Sequence, residues 1–117
     1  MTRLALVMIV RDEAARIARC LDSARALVDD IVVLDTGSLD DTRDIAHRHG
    51  ARVFSFAWCD DFAAARNAAL DHSDADWNLV LDADEWIAAG SDATDLARTC
   101  GGAPCIGVVP ILCDYDL

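Results

Sequence analysis

The stretch Ile31 to Thr42, IVVLDTGSLDDT, joins a short β-branched run ending at Asp35 to a Thr36-Gly37-Ser38 turn and then to Ser38-x-x-Asp41, the spacing of a helix-start capping box. Its simplest reading is strand, turn, helix, with the helix running through His47 to a stop at Gly50. The flanks repeat the pattern. Leu4 to Val10 (LALVMIV) is a continuous apolar run too short for a helix, which suits a strand buried on both faces of a parallel sheet. Asp12 is placed to cap a first helix, in which Ile17, Leu21, Ala24 and Val28 recur at helical spacing. Arg52 to Phe56 alternates as a third strand, Asp61 to His72 is an alanine-rich helix, and Trp77 to Leu81 is a fourth strand ending in Asp82-Ala83-Asp84-Glu85. Ser91 to Thr99 reads as a short helix, and Ile106 to Leu112 as a fifth strand that Pro110 places near an edge.

Alternation of strands and helices predicts an α/β domain with a mostly parallel sheet and helices on both faces. The expected order of the first four strands is 3-2-1-4, which makes strands one and four neighbours. Ligands bind such sheets in the crevice at the carboxyl ends of the strands, where the order reverses. Polar residues collect there: Arg11 and Asp12 after strand one, Asp35 at the end of strand two, Asp82 and Asp84 after strand four.

Composition narrows the chemistry. The 117 residues are one domain's length, and 54% are apolar, enough for a packed core. Ten basic residues, all Arg, stand against 21 acids, for a net charge of −11, a balance that argues against phosphate-tracking nucleic-acid binding. The absence of Lys excludes a phosphate-loop lysine and a Schiff base, and the six glycines never form G-x-G-x-x-G. An acidic protein that handles a phosphorylated ligand wants a metal ion. Five cysteines without a C-x-x-C pair read as small core residues of a reduced compartment. His47, His49 and His72 read as solvent-side or capping residues. The apolar run at the N-terminus has neither the length of a membrane span nor a cleavage site, so the cytoplasm is the expected location.

Asp82 and Asp84, at i and i+2 on a turn, could divide two tasks: coordination of a hard divalent cation, and acceptance of a ribose hydroxyl. The plain alternative is an acidic, solvated loop. Asp35 could accept a nucleobase imino N–H, or could close an Asx-turn or cap a helix. Arg66 is the only cation between Arg52 and Arg98. It could reach a base or a diphosphate, or lie on the surface paired with Asp61 or Asp71.

Taken in order, VMIVRDEAARIARCLDSA (Val7 to Ala24), IVVLDTGSLDDT, DFAAARNAAL (Asp61 to Leu70) and DWNLVLDADEW (Asp76 to Trp86) resemble the nucleotide-sugar half of family 2 glycosyltransferases. The resemblance implies a Rossmann-like GT-A fold, with residues 1–100 as the donor half and 101–117 as the start of an acceptor half. It implies that Asp35 contacts a uracil-type base, that Arg66 lies beside the nucleotide, and that Arg11 and Glu13 line its pocket. Asp82 and Asp84 would form the D-x-D element, Asp82 on ribose and Asp84 on Mg²⁺ or Mn²⁺. The implied reaction is an inverting transfer from a nucleotide-diphospho-sugar, most simply a UDP-sugar, to a carbohydrate or lipid-linked acceptor. The implied setting is cell-surface polysaccharide assembly at the inner face of the membrane, with peripheral membrane association and a homodimer as further expectations. Ala63 departs from the family, whose members often carry Ser there. The general base of the reaction has no match, since Asp92, Asp95, Asp114 and Asp116 stand in no suitable context. The chain therefore reads as the N-terminal portion of a longer enzyme, with a non-catalytic nucleotide-sugar-binding module as the alternative. A remote rival comes from Asp35-Thr-Gly-Ser38, which is also the signature of aspartic proteases; that fold is nearly all strand, whereas the flanks here are helical.

Overall fold

The computed structural model describes residues 3–87 and 111–113. The elements run in the order β1 (Leu4–Val10), α1 (Ile17–Arg25), β2 (Asp30–Asp35), α2 (Thr42–Arg48), β3 (Arg52–Ser55), α3 (Phe62–Asp71), β4 (Trp77–Val80), β5 (Glu85–Ile87) and β6 (Ile111–Cys113). β1 to β4 form one sheet in the order β3-β2-β1-β4, with every pair parallel. This is the expected order, and a parallel sheet of this kind removes the protease reading.

Two-residue alternation along the central strands feeds two cores, one on each face. Leu6, Met8 and Val10 of β1 join Ile31 and Val33 of β2 against Ile17, Cys20, Leu21 and Ala24 of α1 and Ala46 of α2. On the other face Ala5, Val7, Val32 and Leu34 meet Ala65 and Ala69 of α3. Small alanines on α3 let that helix lie close to the sheet. Val28, expected on the α1 stripe, lies beyond the end of the helix and packs at the margin of the first core.

Three local expectations are corrected. Asp12 does not cap α1, which starts at Ile17 without a side-chain cap. It instead adopts a left-handed conformation (φ 52°), which a short polar side chain tolerates, and its Oδ1 accepts the N–H of Leu39 at 2.7 Å. Ser38-x-x-Asp41 is no capping box, because α2 begins at Thr42 with no hydrogen bond from the Asp41 side chain; Asp40 accepts from the Thr42 N–H and hydroxyl instead. The acidic run after β4 is more than a loop: it turns into β5, which pairs antiparallel with β6 outside the parallel sheet. Of the fifth strand expected over Ile106 to Leu112, Ile111 and Leu112 lie in β6 (Ile111–Cys113); residues 106–110 and the helix expected over 91–99 lie outside the described residues.

Two further helix boundaries are made locally. Asp61 caps α3 by accepting the Ala64 N–H at 3.1 Å. Gly50 (φ 91°) turns the chain out of α2.

Candidate active site at the carboxyl edge of the sheet

β1 runs on to Val10, paired with Asp35 of β2, whereas its pairing with β4 stops at Val7 opposite Val80. Among the described residues the carboxyl half of β1 is thereby left open on the β4 side. This is the point where the strand order reverses, and there the chain places its candidate groups.

On the β2 side, two loops are stitched into one shelf. The Asp12 N–H donates to Ser38 Oγ (2.9 Å), whose proton goes to Asp35; the Glu13 N–H donates to Thr42 Oγ1 (2.8 Å), whose proton goes to Asp40. The Ala14 N–H donates to Asp40 Oδ2 (3.2 Å), and Thr36 donates its N–H and hydroxyl to the Val10 carbonyl. Asp35 is 1% exposed. Its Oδ2 accepts the N–H groups of Gly37 (3.2 Å) and Ser38 (3.1 Å), an Asx-turn that Gly37 completes with φ 120°, a conformation that strains any side chain. Arg43 Nε lies 3.7 Å from the same oxygen. The geometry supplies the turn-closing alternative for Asp35 in full.

On the β4 side, the chain leaves the sheet at Leu81 and closes a tight turn. The Glu85 N–H donates to the Asp82 carbonyl (2.9 Å) while the Asp82 N–H donates to Glu85 Oε1 (2.8 Å). Glu85 is thus a structural member of the acidic run, a role that composition alone does not distinguish from its neighbours'. Leu81 and Ala83 turn inward (1% and 5% exposed), so Asp82 and the half-buried Asp84 are left at the surface.

Asp82 and Arg66 line one pocket with Val7, Ile9, Phe62 and Val80. The Arg66 guanidinium lies 5.4 Å from the Phe62 ring and makes no ion pair with Asp61 or Asp71, the partners of its plainer reading. The pocket encloses about 20 Å³, room for one water, so a nucleotide would lie along its rim. A larger depression of about 330 Å³ lies at the opposite, amino edge of the sheet. It holds none of the candidate residues, and its two arginines are paired within it, Arg3 with Asp74 and Arg52 with Asp30.

The electrostatics tie the two sides together. Burial and then the carboxylates of Glu85 and Asp84 push the Asp82 carboxyl up, with Arg66 opposing. Burial likewise raises Glu13, where Arg16 opposes and the carboxylates of Asp84, Asp40 and Asp82 add to the rise. The carboxylates of Asp82 and Asp84 thus act on Glu13 across the edge, and a divalent cation relieves crowding of this kind. Among the described residues no three acid, His or Cys groups converge on a single point. The donor set fits a cation held by one or two carboxylates, with phosphate oxygens and water completing its shell. Arg11 lies exposed in the shelf, immediately after β1.

The comparisons with known proteins identify the family. The model of glycosyl transferase family 2 matches residues 5–110. The chain belongs to glycosyl transferase family 2. A TPR repeat-containing protein of Synechococcus elongatus is 53% identical to this family 2 chain over 85 residues, 73% of the chain and 21% of that protein. An uncharacterized glycosyltransferase of Rickettsia felis is 38% identical over 85 residues, 73% of the chain and 30% of the relative. Glucosyl-3-phosphoglycerate synthase from Mycobacterium tuberculosis, solved with Mn²⁺, UDP and glucosyl-3-phosphoglycerate, superposes with a TM-score of 0.66 at 26% identity, covering 86% of this chain and 39% of the synthase. The solved-structure neighbours have the GT-A fold, and the chain spans well under half the length of each relative.

Proposed function

We propose that this family 2 domain is the donor-binding half of an enzyme that transfers a sugar from a UDP-sugar to an acceptor hydroxyl, with inversion and with Mg²⁺ or Mn²⁺. The observation that carries the reading is the meeting of Arg66 and Asp82 in one pocket at the strand-order reversal, with Asp84 and Glu13 in electrostatic reach. The mycobacterial synthase, crystallised with Mn²⁺ and UDP-glucose, supports the choice of ligand.

In this reading Asp84 holds the cation and Asp82 accepts a ribose hydroxyl. Arg66 stands against the nucleotide with its planar, permanently charged fork, and Arg11 and Glu13 bound the pocket from the shelf. Asp35 serves the donor by fixing the turn that carries Gly37 and Ser38. A bound cation would supply the positive charge that stabilises the departing diphosphate. Among the residues of this chain none is assigned the general base. Residues 101–117 would open the acceptor half. The acceptor class carried over from the resemblance is a carbohydrate or lipid-linked one, met at the cytoplasmic face of the membrane; among the described residues no helix is long and apolar enough to cross it.

Thermal denaturation in the presence of UDP, UDP-sugars and other nucleoside diphosphates, with Mn²⁺, Mg²⁺ or chelator, tests the reading. A ligand at a hundred times its dissociation constant adds about 2.7 kcal/mol. Stabilisation by UDP with Mn²⁺ that chelator abolishes is the expected result, and no shift with any nucleotide would overturn the proposal.

A further inference from the structure

The turn that carries Asp82 and Asp84 has left the parallel sheet, since the last paired residue of β4 is Val80. What fixes it on the far side is α1. Three side chains of that helix touch three points of the segment 82–87. The Arg19 guanidinium lies 3.8 Å over the Trp86 ring, and Cys20 Sγ lies 3.7 Å from the Asp82 carbonyl. Ser23 Oγ accepts the N–H of Ile87 at 3.0 Å while donating its proton to the Cys20 carbonyl at 2.7 Å.

These contacts differ in consequence. The Cys20 thiol has one weakly polar proton, which the Met8 sulfur at 3.8 Å can also take. The Ser23 contact engages a backbone N–H of a residue only 4% exposed, and a buried amide without an acceptor costs more than the bond itself contributes. Deprived of Ser23, the strand must move until Ile87 finds water or another acceptor. Asp84 is three residues away on the same short turn and must move with it.

We propose that Ser23 is a positioning residue for the acidic turn: by holding the Ile87 amide it sets the path of Asp82–Ile87 and so the placement of Asp84 for the cation of the donor complex. The role rests on the donor-site reading above and deepens it, because it assigns part of the metal affinity to a helix that carries no ligand.

Calorimetric titration of the whole chain with UDP, in Mn²⁺ and in chelator, separates the cation-dependent part of binding from the rest. Ser23→Ala is expected to weaken UDP binding in Mn²⁺ by about three- to tenfold and to leave binding in chelator unchanged. Ser23→Thr, which keeps the hydroxyl, should stay within about twofold of the parent. Ser23→Cys, a weaker acceptor, should fall between and stands in should Ser23→Ala not fold. Ala24→Gly loosens the same helix without removing a hydrogen bond to the turn and serves as the control for a general loss of stability. Full retention of Mn²⁺-dependent affinity in Ser23→Ala, or an equal loss in Ala24→Gly, would overturn the positioning role while leaving the donor site standing. Absence of Mn²⁺-dependent UDP binding in the parent chain would overturn the donor-site reading and this role together.

Discussion

Ala83 stands between two acids and is itself buried against the α1 core, so the turn has an inward face as well as an outward one. A larger apolar side chain there would have to displace well-packed neighbours. Ala83→Leu is expected to destabilise the fold by about 1–3 kcal/mol in urea denaturation. Asp84→Ala, by contrast, changes a side chain at the rim; it should leave the urea midpoint unmoved and abolish the Mn²⁺-dependent part of UDP binding. Asp35 separates two kinds of role. Its carboxylate accepts two backbone N–H groups and the Ser38 hydroxyl, and Asp35→Ala takes that partner from all three, the two buried Ser38 donors among them. The expected loss of stability is about 1–3 kcal/mol, with UDP and inorganic diphosphate weakened alike. A loss confined to uridine nucleotides would show instead that the carboxylate meets the base.

At the scale of elements, much of this architecture is legible in the sequence. LALVMIV and IVVL are short, β-branched and apolar without alternation, a pattern that a strand covered by helices on both faces satisfies and an amphipathic helix does not. The helix starts are less legible because Ser, Thr and Asp cap helices and close loops with the same chemistry. Asp12 and Ser38 are both spaced as caps, yet each bonds across to the neighbouring loop, 26 or 27 residues distant in sequence. Long-range pairing of this kind leaves no periodic trace. The same holds for Glu85, whose carboxylate closes its own turn, and for β5, which is three residues long and takes its partner from residues 111–113. Helix α1 carries a further consequence. Cys20 is fully buried, and that burial, reinforced by the carboxylates of Glu85, Asp82 and Asp84, pushes its thiol up to about 12. Because the thiolate is the nucleophile, iodoacetamide at pH 8 should leave Cys20 unlabelled in peptide mapping until the protein is denatured, while the exposed Cys59 reacts.

For the whole molecule, the two edges of the sheet divide the work. The amino edge is a place of paired charges: Arg52 holds the Asp30 carboxyl below the usual range, chiefly through their hydrogen bond, and ties β3 to β2 where the strands begin. A carboxyl whose pKa is depressed on folding contributes stability that is complete above its unfolded value, near 4, and disappears as the pH falls through the lower folded value. With the guanidinium half exposed, Asp30→Asn should cost no more than about 1 kcal/mol at pH 7. The difference from the parent chain should close in acid, as measured by denaturation at a series of pH values. The carboxyl edge instead gathers like charges, which the proposed donor complex would neutralise.

The cross-bracing between the β1–α1 and β2–α2 loops bears on how quickly that edge can be filled. Ordering those loops is part of folding, so a nucleotide arriving there has no conformational entropy to remove from them. Association should be a single exponential whose rate rises linearly with ligand concentration. The amides of Leu39 and Asp40, bonded to Asp12, should exchange with solvent deuterium as slowly in the free protein as in the complex.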